Sequence, residues 1–308
     1  MLKIMICVNP NKDKELTNTK KLLDYFKQFD VKVIMSDIFK RPYFENEPLS
    51  DTLLSGYDIE YIPEYAAFKK ADLCVVFGGD GTILKIAKKA SQGGAYILGM
   101  NMGRVGYLAE LEINEIELLD PVLKVNSADE IEHLPDITVD SRMMLKCEIV
   151  RGGNTVFTAM ALNEVVISKG AVSRMAGLQL KCNGKNIISY RADGIVISTP
   201  TGSTAYCMSA GGPIIDPGLD CVCAVPVCPY MCLNSGAVVF SGSSVIEVVF
   251  KADKLNEAFC TVDGKSTKSI YDGDVVRITK APTETKLLRL KDIDFYTRLN
   301  EKMNLANN

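Results

Sequence analysis

The chain has 308 residues, 47 % of them hydrophobic and 24 % charged, with a formal net charge of −3. The composition is ordinary for a globular protein, and the length admits one large domain or two medium ones with real cores. No broad basic field exists to attract nucleic acid or an anionic membrane surface, so neither is expected as a partner, and a phosphorylated ligand must be handled by local geometry.

The opening MLKIMICVNPNKDKE passes at once from a strand-like run to charges. It lacks the longer apolar stretch and small-residue cleavage site of a signal peptide. No segment approaches the ~18 uninterrupted apolar residues of a membrane span. The ten cysteines sit mostly inside apolar runs, such as Cys7 in IMICV, Cys74 in LCVVF and Cys147 in LKCEIV. Cysteine used in this way is a small buried hydrophobe of a reducing compartment, and a cytoplasmic location is the expectation.

Residues 2–8 read as a buried strand, residues 15–29 carry apolar positions at helical spacing, and residues 31–35 return to strand. This β-α-β start predicts a parallel sheet covered by helices. Residues 36–66, with Pro42, Pro48, Pro63 and an acidic bias, read as a loop. LCVVF at 73–77 is a buried strand that runs into GGDGT and then the helical pattern ILKIAKKA; AYILGMN at 95–101 is another strand. From about residue 136 short apolar or alternating runs recur between Gly, Asn and Asp, which indicates an all-β second domain. Phe295, Leu299 and Met303 at i, i+4, i+8 predict a terminal helix. The fold class is therefore an N-terminal α/β domain with a parallel sheet in three layers, over 1–125, and a β-rich C-terminal domain over 126–289.

Three constellations carry candidate chemistry. The first is Gly78-Gly79-Asp80-Gly81-Thr82, between a buried strand and a helix. Its glycines permit a sharp turn and close ligand approach, Thr82 can cap the helix, and the helix start offers free N–H groups to an anion. A single acid where phosphates would dock needs a metal ion or a proton to accept. A glycine turn with a capping Asp is the plainer reading of the same residues. The second runs from Arg191-Ala192-Asp193-Gly194 through Thr199-Pro200-Thr201-Gly202-Ser203-Thr204-Ala205-Tyr206 to Ser209-Ala210-Gly211-Gly212-Pro213. Its hydroxyls and backbone N–H groups suit ligand oxygens, although a Ser/Thr turn between strands also uses such residues. The third is Asn163-Glu164, two polar side chains inside an apolar run. Either a ligand or a neighbouring strand must satisfy them, since an unpaired buried polar group costs ~1–3 kcal/mol.

In order, GGDGT, NMGRVGYLAE, ALNEVVI, RADGIVISTPTGSTAY and SAGGPI resemble the NAD kinase family, from about Leu73 to Pro217, with weaker agreement at Asp263-Gly264 and in FYTRLNEKM. Diacylglycerol and sphingosine kinases share GGDG, and TPTGSTAY separates the NAD kinases from them. The resemblance implies phosphorylation of the adenosine ribose 2′-hydroxyl of NAD by ATP or another phosphate donor, with a divalent metal, Mg²⁺. It implies that Asp80 is the catalytic acid/base and that Gly81 lies against the ligand, with Tyr107 near the adenine. Asn163 and Glu164 would hold the ribose and its neighbours, Asp193 and Arg191 the nicotinamide end. Thr204, Ala205, Tyr206 and Ser209 would line the pocket, and Arg174 would add a basic contact. The terminal helix at 290–308 would join the first domain, the dinucleotide would lie in the cleft between domains, and the chain would form a homo-oligomer, a dimer or tetramer.

The chain departs from the family at Cys228-Pro229-Tyr230-Met231-Cys232, where Tyr230 replaces a common histidine and a later arginine is missing. His133, the single histidine, lies in no motif, which argues against a His-based triad. Cys221, Cys223, Cys228 and Cys232 lack the spacing of a zinc site, and no protein metal ligand is expected. Two other readings remain: a lipid kinase, which would need no TPTGSTAY and would carry a membrane-docking patch, and a non-catalytic NAD(P) sensor, which would need no acid near the phosphates.

Overall fold

The computed structural model describes residues 1–41, 49–103, 106–170, 175–230, 236–251 and 258–306. In chain order its strands are β1 (Leu2–Val8), β2 (Val31–Ser36), β3 (Ile59–Ile62), β4 (Leu73–Phe77), β5 (Tyr96–Met100), β6 (Thr138–Arg142), β7 (Leu145–Arg151), β8 (Asn154–Ala161), β9 (Glu164–Lys169), β10 (Ala176–Cys182), β11 (Lys185–Ala192), β12 (Gly194–Ser198), β13 (Cys221–Val227), β14 (Val238–Ser241), β15 (Ile246–Lys251), β16 (Ala258–Val262), β17 (Ser266–Ile270), β18 (Val275–Lys280) and β19 (Thr285–Arg289). They fall into two compact units, Met1–Ser141 with Thr285–Asn308, and Arg142–Glu284.

The first unit is a sheet of order β3-β2-β1-β4-β5-β19-β6. Strands β1 to β5 pair in parallel, and β19 adds parallel to β5. The central strands β4 and β5 are buried along their whole length, as LCVVF and YILGM require when both faces are covered. The unit extends past the expected boundary at 125 because β6 joins this sheet, and the returning chain enters it as β19.

Residues 36–66 are not one loop: they include a 3₁₀ turn at Asp37–Lys40, a short helix at Leu49–Thr52, edge strand β3 and a helix at Glu64–Lys70. Pro63 caps the start of that last helix, where its missing N–H costs nothing, so this proline marks a beginning and not a break. Pro42 and Pro48 lie outside the described residues. The expected terminal helix is present as Phe295–Ala306, with Phe295 and Leu299 half-buried, Met303 exposed and Arg298 buried. An ion pair with buried Glu110 accounts for the burial of Arg298.

The second unit holds two six-stranded sheets, β11-β10-β15-β18-β7-β8 and β14-β13-β12-β9-β16-β17, with antiparallel pairings. Alternating burial along β7, β10 and β15 turns one face inward, and their residues share a core with those of β9, β12, β13 and β16.

The described cysteines are free. Cys147 and Cys260 meet at 3.7 Å inside the core, while Cys221 and Cys223 pack on one face of β13 with Val225. Cys228 is exposed, and Cys232 lies outside the described residues. Elemental analysis of protein purified without chelator should find no stoichiometric zinc, and a thiol reagent should modify Cys228 ahead of the other described cysteines. A zinc-to-chain ratio near one would overturn this reading.

Candidate active site

The GGDGT segment links buried β4 to the helix Asp80–Gly93. Gly78 donates its N–H to Met100 O at 2.9 Å, and a Cβ there would lie 2.2 Å from Thr82 Oγ1, so Gly78 is required by the fold. Gly79 and Gly81 are different. A Cβ at either would meet nothing within 4 Å. The helix starts at Asp80 with Gly79 as its cap residue and no side-chain cap, so Thr82 sits within the first turn and does not cap it.

Asp80 is held by the loop that follows β5. Tyr107 donates its N–H to Asp80 Oδ2 at 2.9 Å, and Leu108 donates to Oδ1 at 3.0 Å. A Cβ at Gly106 would lie 2.1 Å from Oδ1, so glycine is the residue that lets the carboxylate come this close. The second glycine of NMGRVGYLAE and the two residues after it thus form the seat of the acid. Lys302, on the terminal helix, places Nζ 3.3 Å from Asp80 Oδ2 and 3.8 Å from the centre of the Tyr107 ring. Burial first, and then the Asp80 charge, pushes the Tyr107 phenol above its ordinary range.

The carbonyl side of the same loop is clamped. Arg289 donates to Tyr107 O and Leu108 O, both at 3.2 Å, and pairs with Glu110 at 3.1 Å and Asp140 at 3.0 Å. Arg298 donates to Ala109 O at 2.9 Å and pairs with the same buried Glu110. Nothing in the spacing of these residues marks their partnership in the sequence, because Glu110 lies 179 and 188 positions from its two arginines.

A cavity of about 560 Å³ opens at the carboxyl ends of β1 and β2, lined by Asn9, Asn11, Ser36, Arg41, Thr82 and Lys85. The sheet order reverses between β1 and β4, the place where open parallel sheets take ligands.

In the second unit the organising group is Asp263. Its Oδ2 accepts the N–H of Leu162 at 2.8 Å, and its Oδ1 accepts those of Asn163 and Glu164 at 2.9 and 3.1 Å. Asp263 itself takes a left-handed backbone conformation, φ 47°, and returns its own N–H to Glu164 O. From the other side Thr199 donates N–H to Asn163 O at 2.8 Å and its hydroxyl to Leu162 O at 2.6 Å. A Cβ at Gly202 would lie 2.2 Å from Asn163 O. Glu164 is left buried, with Oε2 finding no hydrogen-bond partner among the described residues. Desolvation, and then the nearby charges of Asp263 and Cys207, push its carboxyl up to about 7.

The hydroxyl run after β12 serves the fold more than the sequence reading allowed. Thr199 caps Gly202 N–H at 3.0 Å, Ser203 bridges the backbone of Ile215, and Thr204 donates weakly to Thr201 O at 3.4 Å. Tyr206 and Ser209, on a one-turn helix, are exposed, and Ala205 is half-buried. Asp193 pairs with Lys169 at 2.9 Å, a lysine that no motif flagged, and Arg191 is exposed. Arg174 lies outside the described residues.

Models of the ATP-NAD kinase N-terminal and C-terminal domains match residues 4–126 and 162–290. The NAD kinase of Acetivibrio thermocellus is 36 % identical over 306 residues, covering 98 % of this chain and 97 % of that protein. The chain belongs to the NAD kinase family. Phosphorylation of NAD is accordingly its activity. The Geotalea daltonii NAD kinase is 38 % identical over 237 residues, which span 76 % of this chain and 79 % of that one. Among solved structures, yeast NADH kinase complexed with NADH superposes with a TM-score of 0.82 at 21 % identity, covering 100 % of this chain and 89 % of its own. An Archaeoglobus fulgidus NAD kinase in complex with ATP gives 0.69 at 23 % identity, covering 98 % and 99 %. At these identities the two structures speak for the fold.

Within this family member, Tyr230 is exposed and donates its N–H to Arg191 O at 2.7 Å, so the residue in the place of the common histidine is tied through its backbone to β11. Met231 to Ser235 lie outside the described residues.

The raised carboxyl of Glu164 sets a sign for stability. With a folded value of about 7 against the ordinary 4.5 of a glutamate, the folded chain holds a proton that the unfolded chain releases. Stability from this group is present in full below about pH 4.5 and is lost as pH rises toward 7, a change on the order of 3 kcal/mol. Glu164→Gln should therefore gain on the wild type between pH 5 and pH 8 in chemical denaturation. A difference between the two that does not change with pH would show that the carboxyl is not buried as described.

Proposed function

We propose that the chain transfers the terminal phosphoryl group of ATP to the adenosine ribose 2′-hydroxyl of NAD, with Asp80 as proton acceptor. The ribose oxygen forms the new bond to phosphorus, the bond between that phosphorus and the bridging oxygen of ADP breaks, and the hydroxyl proton passes to the Asp80 carboxylate. The observation that carries this reading is the pairing of a fixed carboxylate with two flanking glycines at which a side chain would meet none of the described residues. Gly79 is the cap residue of the helix, a place that favours glycine over alanine, whereas Gly81, inside the first turn, forgoes ~0.5–1 kcal/mol relative to alanine, and close approach of a ligand is the reason that remains there. A sensor that only bound the dinucleotide would not need an acid so placed, and a lipid kinase would not need the Asn163-Glu164 and TPTGSTAY framework.

The donor nucleotide is assigned to the cavity beside Asn9, Arg41 and Lys85, where cations face the carboxyl ends of the strands. In the second unit Asn163, Glu164, Arg191, Asp193, Thr204, Ala205, Tyr206 and Ser209 are the proposed dinucleotide contacts, with Arg174 as a further one; in the first unit Gly81 and Tyr107 are proposed as ligand contacts of their own. The unpartnered Glu164 Oε2 is an acceptor suited to a ribose hydroxyl. A homo-oligomer, a dimer or tetramer, is proposed on the family resemblance. No described helix is long and apolar enough to cross a membrane, and the proposed location is the cytoplasm.

Among the described residues no group of three His, Cys, Asp or Glu side chains is arranged to hold a metal ion. Asp80 already engages both oxygens with N–H donors. A divalent metal, Mg²⁺ by its preference for phosphates and water over protein cages, is therefore proposed to travel with the donor. When bound it supplies charge neutralisation of the transferring phosphoryl group.

Two measurements test this. Asp80→Asn should hold NAD affinity within a few-fold while turnover falls by roughly 10²–10⁴, the range of a lost general base; near wild-type turnover would exclude Asp80 from the chemistry. Chelation with EDTA should abolish NADP formation with little change in the melting midpoint, and excess Mg²⁺ with ATP should restore the rate at once. Melting on chelation would instead mean that a metal is part of the fold.

A further inference from the structure

The sequence offers no cation for the charge problem at Asp80, and the fold brings one from the far end of the chain. We infer that Lys302 is a positioning residue for Asp80, holding the carboxylate in the orientation that receives the acceptor proton; the inference rests on the reading of Asp80 as the proton acceptor.

The hydrogen bonds divide unequally between the two carboxylate oxygens. Oδ2 takes the Tyr107 N–H at 2.9 Å and the Lys302 ammonium at 3.3 Å, while Oδ1 takes the Leu108 N–H at 3.0 Å. A carboxylate oxygen accepts about two hydrogen bonds. Oδ2 is thus filled, and among the described residues the open acceptor direction lies on Oδ1. Removing Lys302 would open a second direction on Oδ2 and free the carboxylate to choose between them. The ammonium also offsets the negative charge that Asp80 brings next to the phosphates.

Lys302 is placed for this by two features independent of the ion pair. Arg298 stands one turn earlier on the same helix face and is locked to Ala109 O at 2.9 Å and to buried Glu110. The helix is therefore fastened to the very loop that supplies both backbone donors. The Tyr107 ring lies beneath the ammonium at 3.8 Å, a cation–π contact that limits where Nζ can go. By contrast, little of the fold depends on Lys302: its side chain is 36 % exposed, and an ion pair so open to water contributes little stability.

The test is steady-state kinetics and thermal melting of the full chain carrying Lys302→Met, Lys302→Arg, Asp80→Asn and the Asp80→Asn/Lys302→Met pair. Lys302→Met should lower kcat by about tenfold to a hundredfold, the scale of a misplaced catalytic group, with KM for NAD within about twofold. Its melting midpoint should stay close to that of the wild type, and Lys302→Arg should recover most of the loss. Because Lys302 acts through Asp80, Lys302→Met should cost nothing further in the Asp80→Asn background. Wild-type turnover in Lys302→Met, or an equal loss in both backgrounds, would overturn the inference while leaving Asp80 as the base. Wild-type turnover in Asp80→Asn would instead remove the reading on which it rests.

Discussion

The first unit depends on two successive backbone N–H groups, those of Tyr107 and Leu108, that take the two oxygens of one carboxylate. A backbone donor pair has no rotamers to choose, so it fixes the acid more firmly than side chains of similar number would. Its cost falls on the loop, which must present consecutive N–H groups inward. Arg289 and Arg298 meet that cost by taking the loop's carbonyls, with Glu110 neutralising both cations in the interior. A buried ion cluster of this kind is poor evidence for stability, since desolvation opposes much of the attraction. Its value here is geometric, because the strand β19 and the terminal helix both end on the loop that seats Asp80.

The second unit repeats the device with a different outcome. Asp263 gathers three N–H groups from Leu162, Asn163 and Glu164, so an acid again organises a short stretch of backbone. Burial pushes the Asp263 carboxyl up, while those three bonds draw it down. The price is carried by Glu164, which sits in the same low-dielectric surroundings with one oxygen unpaired. A polar atom held in that condition is costly to the free protein and useful to a ligand that supplies the missing donor.

How much of this could be read in advance varies with the physical origin of each feature. GGDGT was legible as a strand–turn–helix junction with a singular acid, because flanking apolar runs and glycines are local signals. The role of Gly106 was not, since its reason is a steric contact with Asp80, 26 positions away. The hydroxyls after β12 were read as ligand groups on their density. Thr199 and Ser203 prove to fasten the turn, an outcome that only their partners at Leu162 and Ile215 reveal. Residues 36–66 misled because prolines mark helix starts as readily as breaks.

By itself the sequence determined the candidate groups: a lone Asp between glycines, an Asn-Glu pair in an apolar run, and an order of motifs that belongs to one family. It also determined the two textures, since continuous apolar runs suit strands covered on both faces and alternating runs suit sheets covered on one. The tertiary structure alone decided which groups act on one another. Arg289 carries no motif, Arg298 and Lys302 fall in the weakly agreeing FYTRLNEKM without any sign there of what they touch, and all three lie about 180 to 220 positions from the residues they serve. Chain folding creates such long-range pairings without leaving any local periodicity, so the seat of Asp80 became visible once β19 had joined β5 and the terminal helix had closed on the loop.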